Sequence, residues 1–440
     1  MVEIARFVRT VVAHLKGVGA RYYQETGNLY RTILYLVRHA LWARRYVVKR
    51  RIAMKTIPSS SDSVAQGALH ARRHNLPFLA IRVSGGVGDY VIIARFLRDL
   101  AASVEPFQFD VYCGSFEHGR WAFSGVPGYR ETYSDFLFDH FKDEYSLALR
   151  ISQFVVVHGE NAHWESLRAF HRLMQAINQI IRFRSKIEIM IERHPFMDGF
   201  LAQKAVYMNL SRANFLHGMA SIAYGGPALA LETDASFLTQ LHLRDRPFIT
   251  ISNGFDAEFP LSRRQATKCY PHSAKLVRLI KEKFPDVAVV QVGTTTSIPI
   301  PYADINLLGK TNLKQVAAII GQAQLHIDNE GGLVHIASCL GTRSCVIFGP
   351  TSADYFAYED NINIRPTFCG GCWWINETWM DSCPRRFETA RCMSEMPPEY
   401  ILAKIAAEWG PAYASSQAKA NGDAGQPAPP SSHAQRAARC

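Results

Sequence analysis

Three short stretches of this chain place acids, glycines or a lysine where an apolar run gives way to a new one. The first is Asp328-Asn-Glu-Gly-Gly-Leu-Val-His335, which follows the apolar Leu325-His-Ile327. Leu333 to Leu340 then reads as a short helix, with Gly341 placed to end it as a left-handed cap. Ser344-Cys-Val-Ile-Phe348 reads as the next strand and runs into Gly349-Pro-Thr351. A strand, tight turn, helix and strand put polar residues at the carboxyl end of a strand, where open α/β sheets bind ligands. Gly331 and Gly332 let backbone approach a ligand, and free helix-terminal N–H groups favour an anion. The second stretch, Ser84-Gly-Gly-Val-Gly-Asp89, follows the strand-like Phe78–Val83. It is not a GxGxxG fingerprint, and the acid at the right distance to hold a ribose, Asp110, lies inside the next strand. On local grounds Asp89 reads as a cap for a helix beginning at Tyr90. The third is Lys268-Cys-Tyr-Pro271, ahead of a helix near His272 and after the strand Pro247–Ser252. Gly309-Lys-Thr311 is not a P-loop, because position 304 is Asp and not Gly; Thr311 is expected to cap the next helix.

Cys369, Cys372, Cys383 and Cys392 form a C-x2-C-x10-C-x8-C pattern interleaved with Trp373, Trp374 and Trp379. Four thiolates at such spacing suit a tetrahedral zinc or a mononuclear iron, in a structural role because no coordination position stays open. Disulfides or free thiols remain the alternative. His158, His163, His194 and His217 show no ligand spacing.

The elements that must carry these residues are those of an α/β protein. Strands are expected at 78–83, 107–113, 154–157, 247–252 and 287–292, and helices at 90–100, 164–183, 272–283, 313–321 and 399–409. Two successive α/β series imply two Rossmann-like domains facing a cleft. The boundaries expected are a basic helical extension with a Ser-rich connector over 1–75, a first domain over 76–245, a second over 246–410 containing the Cys-rich segment 369–393, and a disordered Ala/Ser/Pro/Gln-rich tail over 411–440.

Charge is uneven. Residues 1–55 hold 12 Lys/Arg against two acids, so +10 of the chain's net +11 belongs to the extension. Its apolar stretches are interrupted by Arg38, Arg44 and Arg45 and fall short of the roughly 18 residues of a spanning helix. A basic helix with Tyr and Trp suits an anionic membrane surface, and packing on the body is the alternative; the aromatic spacing argues against nucleic acid. Nine cysteines do not make a disulfide scaffold, and no export signal is evident, so a cytoplasmic setting is expected, peripheral at the inner membrane face.

The chain resembles glycosyltransferase family 9, the heptosyltransferases. The resemblance lies in Glu330, Gly331, Gly332 and His335 followed by Gly349, Pro350 and Thr351, in Gly88-Asp89, and in Lys268-Cys-Tyr-Pro271. The family usually carries Asp at the position of Glu330 and Trp at that of Tyr270. The resemblance implies the GT-B fold over roughly 76–405 and an inverting sugar transfer. Asp89 would be the general base toward the acceptor hydroxyl, and Lys268 would sit over the donor diphosphate. Ser252, Asn253, Gly254 and Thr351 would line the nucleotide-sugar site with Glu330, Gly331, Gly332 and His335; Arg263 and Arg264 are further candidates. The donor implied is ADP-heptose and the acceptor a lipopolysaccharide core or related surface glycan, with no cofactor required for the chemistry. Transfer to protein Ser or Thr, and a non-catalytic sugar-nucleotide or metal-binding protein on the same fold, are the other readings.

Overall fold

A computed structural model describes residues 16–414 except 245, 257, 258 and 260. The tail beyond 414 and the first 15 residues lie outside the described residues.

The first sheet has strands β1 (Phe78–Val83), β2 (Gln108–Cys113), β3 (Tyr129–Ser134), β4 (Leu147–Ile151) and β5 (Val155–His158) in the order β3-β2-β1-β4-β5. All neighbours are parallel except β4 and β5. Alternate residues of β1 serve two cores. Leu79, Ile81 and Val83 pack with the Val87–Ser103 helix, while Phe78 and Ala80 pack with Tyr112, Tyr145 and Ala148. The second sheet comprises β6 (Phe248–Ile251), β7 (Ala288–Gln291), β8 (Ile305–Asn306), β9 (His326–Asn329), β10 (Ser344–Ile347) and β11 (Ile362–Ile364). It is wholly parallel and runs β11-β10-β9-β6-β7-β8, the doubly wound order whose reversal falls between β6 and β9. The first sheet reverses between β1 and β4. One apolar core runs from β1 through the Val87–Ser103 helix into Val334, Ile336, Val346 and Phe348, so the two sheets share packed residues across the cleft floor.

Several expectations are revised. The Ser-rich connector is a helix, Ile57–Arg73, whose small residues Ser60, Val64, Gly67 and Ala71 fall on one buried face. Its low apolar content hides it, because a side chain at Gly67 would collide with Phe78 and Arg130. The helix expected from 164 to 183 is two, Trp164–Leu167 and His171–Arg184. The cap before Leu313–Gln322 is Asn312 in a capping box with Gln315, not Thr311. Gly341 does take the left-handed conformation (φ 75°), and the Thr342 N–H donates to Ala337 O at 2.9 Å in a Schellman closure. Helical structure continues through 411–414, where Tyr413 stacks on Trp409, so order runs past the expected start of the tail at Pro411.

The N-terminal extension is helical over 16–26 and over Leu29–Lys55. Its first half is docked on the second domain. Tyr22 donates to the buried Asp381 carboxylate, Arg31 reaches Asp381 O at 2.9 Å and Ser382 Oγ at 2.7 Å, and Arg38 donates to Leu261 O. Further along the Leu29–Lys55 helix, Tyr46 meets Phe136 of the first domain edge-on at 4.8 Å. The helix therefore spans both domains. Its other face stays open, with Tyr30, Ile33, Val37, Leu41, Val48 and Ile52 exposed. Among the described residues, no helix is long and apolar enough to cross a membrane.

Candidate active site

The Val87–Ser103 helix begins three residues earlier than the sequence suggests, with Gly86 as N-cap. Asp89 is thus the third helical residue. Its Oδ2 accepts the Gly86 N–H at 3.0 Å. Gly85 has φ 121°, and a β-carbon there would lie 2.3 Å from Asp89 Oδ2, so only glycine lets the carboxylate fold back over the turn. The other oxygen, Oδ1, receives Arg212 Nη2 at 2.7 Å and Gln153 Nε2 at 3.1 Å. Gln153 follows β4, so the carboxylate stands at the switch point of the first sheet. One Asp89 oxygen therefore caps the helix, as expected on local grounds, and the other is held in direction by two side-chain donors.

Arg212 is 1% exposed, and its Nη2 also donates to Ser152 O at 3.1 Å. Its own backbone N–H donates to Tyr355 O of the second domain at 2.7 Å. The residue that aims Asp89 is thereby tied to the opposite wall.

That wall is the switch point of the second sheet. Lys268 Nζ donates to Glu330 O at 2.8 Å and lies 3.6 Å from where a β-carbon on Gly331 would be. The loop that carries the lysine is braced by Asn253, whose Oδ1 accepts Tyr270 N–H at 2.7 Å and whose Nδ2 donates to Tyr270 O at 2.8 Å. Asn253 is committed to holding that loop. Gly254 O accepts Asn329 Nδ2 at 3.0 Å, which joins the ends of β6 and β9, and Ser252 N–H donates to Ile327 O at 2.8 Å. Tyr270, where the family usually has Trp, buries its ring and donates from its hydroxyl to Met396 O at 2.8 Å. Arg263 turns away to Glu388 O at 2.7 Å.

Glu330 is 7% exposed. Burial raises its pKa above the ordinary 4.5, the Lys268 charge opposes this, Asp89 and Asp328 add to it, and a hydrogen bond from Thr351 works against it. His335 is pushed well below 6.5 by burial and then by the charges of Arg95, Arg212 and Lys268, so the ring is neutral. Its Nδ1 and the Tyr358 hydroxyl share a 2.7 Å hydrogen bond, and its Nε2 stands 3.8 Å from Glu330 Oε1.

The two loops touch. A β-carbon on Gly88 would lie 2.9 Å from Gly332 Cα and 2.7 Å from His335, and one on Gly332 would lie 3.1 Å from Gly88 N. The amino ends of the Val87–Ser103 and Gly332–Cys339 helices thus meet glycine to glycine, bringing Asp89, Lys268, Glu330 and His335 into one cleft. A buried arginine pins the contact. Arg95, fully inaccessible, donates to His335 O at 3.0 Å, Tyr358 OH at 2.6 Å and Cys339 Sγ at 3.1 Å, all in the second domain. Sequence reading missed Arg95, Gln153, Arg212 and Tyr358. Only Arg95 leaves a signal, as a cation inside a helix that is apolar nearly all round.

Cys369, Cys372, Cys383 and Cys392 are free thiols in one neighbourhood, since each of the other three bears electrostatically on Cys392. Among the described residues, however, no group of three or more His, Cys, Asp or Glu side chains is gathered to hold a metal ion. The segment is also held by buried Trp379 and by Asp381, which accepts from Ser262 N–H at 2.9 Å and from Ser262 Oγ at 2.7 Å.

Two Rossmann-type sheets that offer their switch points to each other across a cleft make the GT-B architecture. Residues 259–367 match the family model of Glycosyltransferase family 9 (heptosyltransferase), which covers β6's outgoing loop through β11 and includes Lys268, Glu330, His335 and Thr351. That stretch is similar to family 9, in line with the resemblance read from the sequence. It is 30% identical over 142 residues to lipooligosaccharide heptosyltransferase 2 of Haemophilus influenzae, an alignment spanning 29% of this chain and 39% of that protein. Among solved structures, similar chains include ADP-heptose lipopolysaccharide heptosyltransferase II of E. coli (16% identity, 70% of this chain and 95% of that one, TM-score 0.41). The iron-containing dodecameric glycosyltransferase TibC of enterotoxigenic E. coli is another (14% identity, 75% of this chain and 78% of that one, TM-score 0.47). The similarity to family 9 rests on the sequence matches, which cover part of the chain.

Proposed function

We propose that this protein is an inverting glycosyltransferase that moves heptose from ADP-heptose to a hydroxyl of a lipopolysaccharide core or related surface glycan. The observation that carries the reading is the meeting of Asp89 with Lys268 and the Glu330-Gly331-Gly332 turn at two facing switch points. Asp89 Oδ1 takes the proton from the acceptor hydroxyl, whose oxygen attacks the anomeric carbon on the face opposite the leaving group. The bond to the diphosphate oxygen breaks with oxocarbenium character, and the electron pair leaves with the nucleoside diphosphate. Lys268 and the amino end of the Gly332–Cys339 helix stabilise that negative charge. Neutral His335 and Glu330 hold donor hydroxyls, and the chemistry calls for no metal. Incubation with a panel of ADP-, GDP-, UDP- and CMP-sugars, beside an Asp89→Ala control, tests this. Nucleotide release from ADP-heptose that the control lacks supports the reading. Absence of both release and donor binding would sink it in favour of a non-catalytic protein. Mass spectrometry of co-expressed proteins separates a glycan acceptor from protein Ser or Thr.

The open face of the Leu29–Lys55 helix belongs to the same proposal as a contact with an anionic bilayer. The helix contains no acid, and Arg44, Arg45, Lys49, Arg50 and Arg51 accompany its exposed apolar stripe. Because the extension is docked on the second domain through Tyr22 and Arg31, deleting residues 1–55 would also disturb that domain. The clean test is Ile33→Glu with Leu41→Glu, which should abolish binding to vesicles containing anionic lipid; unchanged binding removes the membrane idea. The four cysteines enter only as a structural zinc or iron site. Elemental analysis of purified protein tests it, and a metal-free protein leaves Trp379 and Asp381 as the staples of that segment.

A further inference from the structure

Two arginines stand side by side near the cleft and take no part in the site described above. Arg82 on β1 and Arg150 on β4 are register partners in the parallel ladder, so their backbones are about 5 Å apart. Alternation puts both on the face that carries Phe78, Ala80 and Ala148, away from the Val87–Ser103 helix. Each precedes a cleft loop by two residues: Arg82 leads into Ser84, Arg150 into Ser152-Gln153. They flank the point where the first sheet reverses, at the carboxyl ends of its strands, the usual place for a ligand in an open α/β sheet.

The nearby anions compensate these charges only in part. Arg82 lies over the Phe138 ring at 5.7 Å and reaches Asp139 only at 3.9 Å. That carboxylate is 71% exposed and is shared with Lys142 at 3.4 Å. Arg150 is partly buried and makes no hydrogen bond or ion pair among the described residues. Burial lowers its pKa below the ordinary guanidinium value, and the positive charges of Arg82 and Arg184 lower it further. Arg184 is partly exposed and pairs with Glu188 at 3.5 Å, so Arg150 alone of the three has no anionic partner among the described residues, and its positive neighbours raise its energy. A planar fork of donors on each arginine matches a tetrahedral oxyanion.

We infer that Arg82 and Arg150, with Arg184 at the rim, bind a phosphate monoester. Under the function proposed above, the first domain receives the acceptor, and the phosphate is then carried by the acceptor sugar beside the hydroxyl that attacks. That identification rests on the transferase reading; the anion site itself does not.

The test is direct binding, without donor or transfer. In full-length protein carrying Lys268→Ala, which removes the cation proposed for the donor diphosphate, inorganic phosphate is titrated at constant ionic strength by calorimetry and thermal melting. Arg150→Gln and the Arg82→Gln/Arg150→Gln pair are compared on the same background. The expected result is a phosphate-dependent rise in Tm that either variant reduces, with Kd weakened at least tenfold. Without phosphate, Arg150→Gln should melt at the same temperature or higher, because a repelling neighbour has gone. A parallel titration with a hexose 6-phosphate assigns the source: tighter binding than free phosphate points to a phosphorylated sugar, and equal binding to inorganic phosphate. An equal phosphate response in parent and variants overturns the proposal. So does a lower phosphate-free Tm in Arg150→Gln, which would make Arg150 a structural partner.

Discussion

The two walls of the cleft are built in different ways. On the second-domain side the proposed chemistry lies in two local motifs: Lys268 sits on a loop braced by Asn253, over a turn 62 positions further on made of Glu330, Gly331 and Gly332. Backbone and glycine dominate, and such a surface suits a diffuse negative charge. On the first-domain side one carboxylate is aimed by side chains from two separate segments, Gln153 after β4 and Arg212 far along the chain. A charge cradle tolerates a preformed local motif. A general base needs direction, and direction comes from distant partners.

The largest effect should follow from removing the aimed group. Asp89→Ala is expected to lower kcat by about 10²–10⁴-fold, the usual range for a general base, with donor binding by calorimetry retained. Arg212→Ala should lower kcat more than it raises the acceptor KM and should leave a measurable share of Asp89's contribution; if kcat is untouched, the contrast between the walls fails. On the other side, Lys268→Ala is expected to cost about 10²–10³-fold in kcat and to weaken donor binding as well, read by the same calorimetry.

The contact between the walls can be broken without touching a reactive group. Gly332→Ala brings a β-carbon to 3.1 Å from Gly88 N and 2.7 Å from Val87 Cγ1. A shift of about 1 Å in the seating of the two loops should cost on the order of 10²-fold in transfer, while each domain stays folded by circular dichroism. Arg95→Ala removes donors from His335 O, Tyr358 OH and Cys339 Sγ and should destabilise the protein by about 3 kcal/mol in denaturant unfolding.

The smallest effect concerns pH. His335 has its folded pKa depressed well below the ordinary 6.5, so the unfolded chain binds its proton more readily. Its contribution to stability is complete above about pH 6.5 and declines as pH falls below that value. Glu330 has the opposite shift, raised above 4.5, so burying its charged form costs stability as pH rises past 4.5. His335→Gln should flatten the loss of Tm between pH 6.5 and 5; an unchanged slope would assign the acid sensitivity to other groups, such as His217, whose pKa burial also lowers.

The contrast between the walls also explains what could be read from sequence. The second wall was legible because strand, turn, glycines and helix follow one another from Leu325 to Thr351, and each carries its own local signal. Asp89 was legible as a residue, but its helix was started too late, because glycine at 86 and 88 disguises a first turn. Gln153 and Arg212 carry no local pattern at all; their role exists only once β4 and the segment near Arg212 are folded beside Asp89. The connector over 57–73 was missed for a related reason. Its buried face is made of Ser, Val, Gly and Ala, chosen for fit under β1 and not for hydrophobicity. The extension divides likewise. Its basic, apolar character was plain, whereas its docking through Tyr22 and Arg31 on Asp381 depends on a partner more than 300 positions away.

The two switch points are proposed to form one transfer site, with the base on one wall and the donor on the other. ADP-heptose binding and transfer, measured side by side for the parent protein, Asp89→Asn and Lys268→Ala, tests it most directly. The account predicts that Asp89→Asn binds donor as the parent does but transfers nothing measurable, while Lys268→Ala loses donor affinity. Transfer persisting in Asp89→Asn, or donor affinity unchanged in Lys268→Ala, would contradict it.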